Sequence, residues 1–183
     1  MKHRFLALFL LVGILLLSSC QVQMEHIYPT PEEVEDKYIS NKQLFFDAAN
    51  RALVFEDDVF ISTAEYYRPE NYTELSGLYV SNVAETKVEA LEDPVISALF
   101  ERCDVRSMAT RTEGGISACE FNCGGSGSYY CGVYYVSEDK PIFISNFSVT
   151  LEETKDGFSC ESNGIRYFTQ KLADNFYYFD AQI

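Results

Sequence analysis

Cysteine is the residue type with the widest chemical scope in this chain. Cys119, Cys123 and Cys131 follow one another at x3 and x7 spacing, with Cys103 upstream and Cys160 downstream. Thiolates at such intervals superficially resemble zinc ligands, but the tight Cys-x2-Cys knuckle is missing and no histidine lies nearby. A metal site is therefore not expected. A disulfide is the second chemistry. If Gly124-Gly125-Ser126 closes a three-residue hairpin loop, Cys119 falls directly opposite Cys131. The Cβ atoms of a non-hydrogen-bonded cross-strand pair then come within bonding reach. Cys119 and Cys123 share one strand and stand about 13 Å apart, too far to bond each other. Reduced, buried thiols are the third reading.

Histidine chemistry has little to draw on. His3 and His26 both lie ahead of the first helix signal, so triads and Cys-His dyads find no imidazole in the folded part. Gly124-Gly-Ser-Gly-Ser128 nearly matches Gly-x-Ser-x-Gly, but it leads into strand-like sequence where a nucleophile elbow needs a helix. No Gly-Lys-Ser/Thr follows to make a phosphate loop. The acid pairs Asp57-Asp58 and Glu138-Asp139 fit neither an EF-hand nor a carboxylate dyad. No catalytic residue is assigned. The aromatics Tyr129, Tyr130, Tyr134, Tyr135, Tyr177 and Tyr178 form a candidate face for a sugar or peptide, with mutual packing across strands as the alternative.

The N-terminus carries an address. Met1-Lys2-His3-Arg4 is basic, and the thirteen residues Phe5 to Leu17 are apolar apart from Gly13, a charged n-region and an h-region of signal-peptide length. As a helix the run spans about 20 Å, short of a hydrocarbon core of about 30 Å. Leu17-Ser18-Ser19-Cys20 then resembles the lipobox of bacterial lipoproteins. That resemblance implies cleavage before Cys20 and a diacylglycerol on its thiol, with an N-acyl chain as a further option. The lipid is the only attached group expected, with no other cofactor. Two acyl chains anchor stably where one does not. The expected organisation is a cleaved signal peptide over 1–19, a lipidated tether over 20–30 and a single domain over 31–183.

The domain's elements follow from local signals. Thr30-Pro31-Glu32-Glu33 opens a helix with a capping Thr, Pro at the first position and an acid three residues after the cap. The apolar stripe Val34, Tyr38, Phe45, Ala49 and Ala52 carries it onward, with a break near Ser40-Asn41 and an end before Glu56. Val59–Ile61 is a short strand or an irregular link, and Tyr66–Gly77 reads as loop around Arg68-Pro69-Glu70-Asn71. Asp93-Pro94 opens a second helix ending near Cys103. Strand-like segments follow over 104–110, 116–123, 129–136, 147–153, 158–161, 165–172 and 176–181. Asp156-Gly157 and Asn163-Gly164 sit between them as hairpin turns. Helices first and strands afterwards predict an α+β fold, the N-terminal helices packed on one face of an antiparallel meander of five to seven strands. Gly132-Val-Tyr-Tyr-Val-Ser-Glu-Asp-Lys-Pro141 and Asn175-Phe-Tyr-Tyr-Phe-Asp180 are similar to segments of small lipoproteins of Gram-positive bacteria that have no assigned activity.

Composition bounds the function. The 183 residues hold 28 acids against 14 bases, a formal charge of −14, with 47% hydrophobic side chains. Such a chain repels a phosphate backbone, so no nucleic acid is expected as partner. Loss of Lys2 and Arg4 with the signal would leave 12 bases against 28 acids, a charge of −16. The expected function is a non-enzymatic binding module, held extracytoplasmically at a bacterial membrane by its lipid, with an envelope protein, peptide or glycan as partner. The outer membrane is the alternative site in a host that has one. Alternatives of other classes are an envelope hydrolase working through carboxylates and a protective module against a basic protein.

Overall fold

The computed structural model describes residues 29–55, 58–63, 72–75, 77–81, 87–126 and 128–183. Helix α1 (Pro31–Ser40) starts from a complete capping box: the Thr30 hydroxyl accepts from the Glu33 amide at 3.3 Å, and the Glu33 carboxylate accepts from the Thr30 amide at 2.8 Å. The expected break falls at Asn41, whose amide side chain donates to the Lys37 carbonyl and which caps α2 (Lys42–Ala52). A short α3 (Lys87–Glu92) precedes α4 (Pro94–Cys103), where the Asp93 carboxylate accepts from the Val95 and Ile96 amides at 2.8 and 3.2 Å. That satisfies two of the orphan donors of the first turn.

The strands are β1 (Phe60–Ser62), β2 (Tyr72–Leu75), β3 (Leu78–Ser81), β4 (Ser107–Glu113), β5 (Ile116–Ser126), β6 (Tyr129–Val136), β7 (Glu152–Glu153), β8 (Phe158–Ser162), β9 (Ile165–Ala173) and β10 (Phe176–Gln182). Among the described residues they form one open sheet of ten strands in the order β2-β3-β1-β4-β5-β6-β10-β9-β8-β7, with antiparallel neighbours throughout. The α+β class stands, while the expected five to seven strands are too few. Part of the excess is β2, which falls inside the segment read as loop because the Pro and Asn upstream of it dominate the local signal. β1 and β3 supply the rest. The run expected as a strand over 147–153 pairs only at Glu152 and Glu153.

Turn chemistry accounts for much of the register. Asn163 and Gly164 have φ of 53° and 80°, and Gly114 and Gly115 have 61° and 84°, the left-handed pair that a two-residue type I′ hairpin needs. The second turn, which joins β4 to β5, adds a hairpin to those expected, with Gly-Gly as its signal. Between β5 and β6 the register slips by one residue from Asn122 to Gly124, so Cys123 is the extra residue of a bulge. Beside it, a side chain at Gly132 would place its Cβ 2.0 Å from the Phe121 carbonyl oxygen, a contact only glycine avoids.

Each sheet face is covered differently. On one face, Phe45 of α2 meets Phe121 edge-on at 5.2 Å and Tyr38 of α1 meets Phe176 at 5.0 Å, with Val34, Ala48, Leu99 and Val133 fully buried around them. The other face carries Ala118, Tyr134, Tyr167, Tyr177 and Phe179, and here no helix packs among the described residues. The irregular strap 141–151 covers it, with Ile142, Phe143 and Ile144 buried and Phe143 standing 4.9 Å from the Tyr167 ring. The loop before the strap is pinned by Asp139, which accepts from Lys171 Nζ, the Asn175 amide and the Tyr177 hydroxyl. That hydrogen bond from Lys171 is the main reason its carboxyl titrates below the usual range.

Candidate functional site

The concave feature best equipped with chemistry lies where the strap leaves the sheet. β7 is two residues long and pairs with β8 only through Glu152↔Ser159 and Glu153↔Phe158. Upstream of Glu152 the chain turns away, while β8 continues to Ser162 against β9. The divergence opens a cleft of about 470 Å3. Its floor is Val149, Cys160 and Tyr167, its polar walls are Thr150 and Ser159, and its charges are Glu152, Glu161 and Arg166. All three charged residues are exposed, and Glu161 and Arg166 are cross-strand partners. Burial raises the Cys160 thiol above its ordinary value, which disfavours the thiolate that nucleophilic or metal chemistry would need. The arrangement suits recognition: an apolar base, two hydroxyls and an excess of one negative charge. Of these residues only Cys160 stands out in the sequence, as one of the five downstream cysteines. The only local signal was a strand bracketed by Asp156-Gly157 and Asn163-Gly164 whose upstream partner turns out shorter than itself.

The cysteine pairing expected from the sequence is overturned by the position of the β5–β6 turn, which lies beyond Ser126. Register places Cys119 opposite Tyr135 and Cys131 opposite Gly124, and β5 runs through Gly124, Gly125 and Ser126 instead of turning there. Cys119 and Cys131 are therefore about four residues out of step along the strands, roughly 13 Å, beyond disulfide reach. Cys103, Cys119, Cys123, Cys131 and Cys160 are all free thiols. Burial pushes Cys123 up to about 12 and Cys131 up to about 11. Among the described residues no three His, Cys, Asp or Glu side chains converge as a metal-ligand group. Cys131 is instead roofed by the start of the domain: its Sγ donates to the Pro29 carbonyl at 3.7 Å, and Pro29 packs on Gly124. Asp180 stands opposite Cys131 on β10 and accepts from the Tyr178 hydroxyl at 3.2 Å.

The six tyrosines do not make a single exposed face. Tyr134, Tyr177 and Tyr178 are buried, and Tyr129, Tyr130 and Tyr135 are half-buried. They divide between the two sides of the sheet because successive residues on a strand point oppositely. Tyr134 and Tyr177 are direct cross-strand partners and stack at 5.2 Å with 11° between their planes. Tyr130 lies with them under the strap, whereas Tyr129, Tyr135 and Tyr178 face the helices. Mutual packing is thus the reading that holds. A half-buried acid lies on the strap side: Glu120, whose charge adds to the burial that chiefly raises the Tyr130 and Tyr167 phenols. Burial in turn pushes the Glu120 carboxyl up to about 7. Cys20 and Asp57 lie outside the described residues. Comparison with family models, with curated proteins and with solved structures finds no match for this chain.

Proposed function

We propose that this protein is a lipid-anchored, extracytoplasmic binding module of a bacterial envelope, tethered through Cys20 and engaging its partner through the β7–β8 cleft without catalysing a reaction on it. The anchor rests on the basic start, the short apolar run and the lipobox resemblance of Leu17-Ser18-Ser19-Cys20. The observation that carries the binding role is the cleft itself, which joins an apolar floor to exposed charges at an unfinished sheet edge. Binding sites are commonly concave, largely apolar and fitted with a few convergent polar groups.

Two measurements test the two halves. Growth with a labelled fatty acid should mark the wild-type chain and leave Cys20→Ala unmarked; equal label in both would remove the anchor. For the cleft, a photoreactive side chain is placed at Ser159 in the full-length protein in intact envelopes, and a second at Gln43 on the helical side. Adducts should form from position 159 at several times the yield from position 43. Equal yields would overturn the binding role, and release of soluble fragments from an envelope polymer by the purified protein would replace it with a hydrolytic one.

A further inference from the structure

We propose that the cleft accepts an extended peptide segment with cationic side chains, which pairs with the free outer edge of β8 as an additional antiparallel or parallel strand. The inference rests on the binding role above and names the class of its partner.

The backbone makes the first argument. With Asn163-Gly164 as a two-residue loop, Ser162 and Ile165 form the hydrogen-bonded pair next to the turn. Pairs alternate along an antiparallel ladder, so Cys160 and Phe158 also spend their amide and carbonyl on β9. Ser159 and Glu161 direct theirs the other way. Ser159 is matched by Glu152 of β7, and the β7–β8 turn is closed by the Thr154 amide donating to the Gly157 carbonyl at 2.8 Å. Glu161 lies beyond Glu152, the first residue of β7, and its outward amide and carbonyl open on the cleft that it lines. That is the donor–acceptor template used when a peptide extends a sheet, with side-chain pockets supplying specificity.

Charge decides what occupies it. The lining holds Glu152 and Glu161 against Arg166, and Glu153 is exposed next to Glu152. A second copy of this chain approaching edge to edge would bring these carboxylates against their own copies, the negative arrangement by which proteins keep open edges from self-pairing. A strand bearing Lys or Arg meets the opposite situation. Its alternate residues point toward the floor of Val149, Cys160 and Tyr167, so the fitting pattern alternates basic with apolar residues.

The test uses full-length protein in detergent and three synthetic heptapeptides: acetylated Lys-Val-Lys-Val-Lys-Val-Lys-amide, its counterpart with Glu for Lys, and its counterpart with every Val N-methylated. Fluorescence anisotropy should show the first binding at least tenfold tighter than either control. On binding, the Glu161 amide should gain protection from hydrogen exchange. Glu161→Pro removes the outward amide without touching the β9 ladder and should weaken the first peptide about tenfold, whereas Glu161→Gln keeps the amide and should weaken it severalfold less than that. Equal binding of the N-methylated peptide, or an unprotected Glu161 amide, would show charge attraction without strand pairing and overturn the proposal. If none of the peptides binds while position 159 still forms envelope adducts, the peptide class is wrong and the binding role survives; if both fail, both fall.

Discussion

Glu120 sits in an environment that its side-chain type does not prefer. It is an acid on the strap-covered face, pushed up to about 7 by burial, against an unperturbed value of about 4.3. The sign follows from proton binding. Between those two values the unfolded chain has released a proton that the folded chain still holds, so this group's contribution is most favourable below about pH 4.3 and is lost as pH rises through 7. Its partial exposure discounts the full effect to about 2 kcal/mol. Glu120→Gln should therefore gain about 2 kcal/mol relative to wild type between pH 4.5 and pH 8, read as the difference of two urea-melt series. A difference that stays constant across that range would mean the carboxyl is solvated. Gly132 supports a second residue-scale prediction. Any Cβ there meets the Phe121 carbonyl at 2.0 Å, so Gly132→Ala must push β5 and β6 apart and should cost about 2–4 kcal/mol in the same assay.

At the scale of elements, what the sequence discloses is whatever a local signal controls. The capping box at Thr30, the Asp93-Pro94 helix start and the Asn163-Gly164 hairpin stand where their residues put them, because each is decided within about four residues. The bulge at Cys123 is different: one extra residue depends on how β5 must bend past Gly132, and no residue near it announces the slip. The cleft is harder still, since it exists only because the strap parts from β8 to cover Tyr167 and Tyr134. Residues such as Glu161 and Arg166 read as ordinary surface until that divergence is seen. The strap's hold on the sheet is measurable. Phe143 is buried and packs on the Tyr167 ring, and Phe143→Ala should cost about 3–5 kcal/mol. Because strap and cleft share the segment around Val149, hydrogen exchange at Ser159, whose outward groups pair with Glu152, should also quicken in that variant; a loss of stability with unchanged exchange there would uncouple the two.

At the scale of the whole molecule, the ladder fixes where the cleft lies relative to the tether. Glu161, Arg166, Gln182, Tyr129 and Ser126 stand abreast across five strands, and the second row in from them comprises Ser159, Phe168, Asp180, Cys131 and Gly124. Pro29 packs on the last two members of that row, so the tether joins the domain at the same end of the sheet as the cleft. Three to four strand spacings separate them, about 15–20 Å. Nine residues from Cys20 to Pro29 reach at most about 30 Å. On the proposed lipid anchor the cleft is therefore held close to the membrane, while a charge of −16 on the chain without Lys2 and Arg4 gives anionic lipid no part in holding it there. A partner confined to the same membrane would meet the cleft at an effective concentration set by the tether, which falls roughly as the −3/2 power of its length. Inserting twenty Gly/Ser residues after Gln23 should then cut adduct formation from position 159 about fivefold, with binding of the soluble lysine peptide unchanged. An undiminished adduct yield would place the partner away from the membrane, in the space the longer tether reaches equally well.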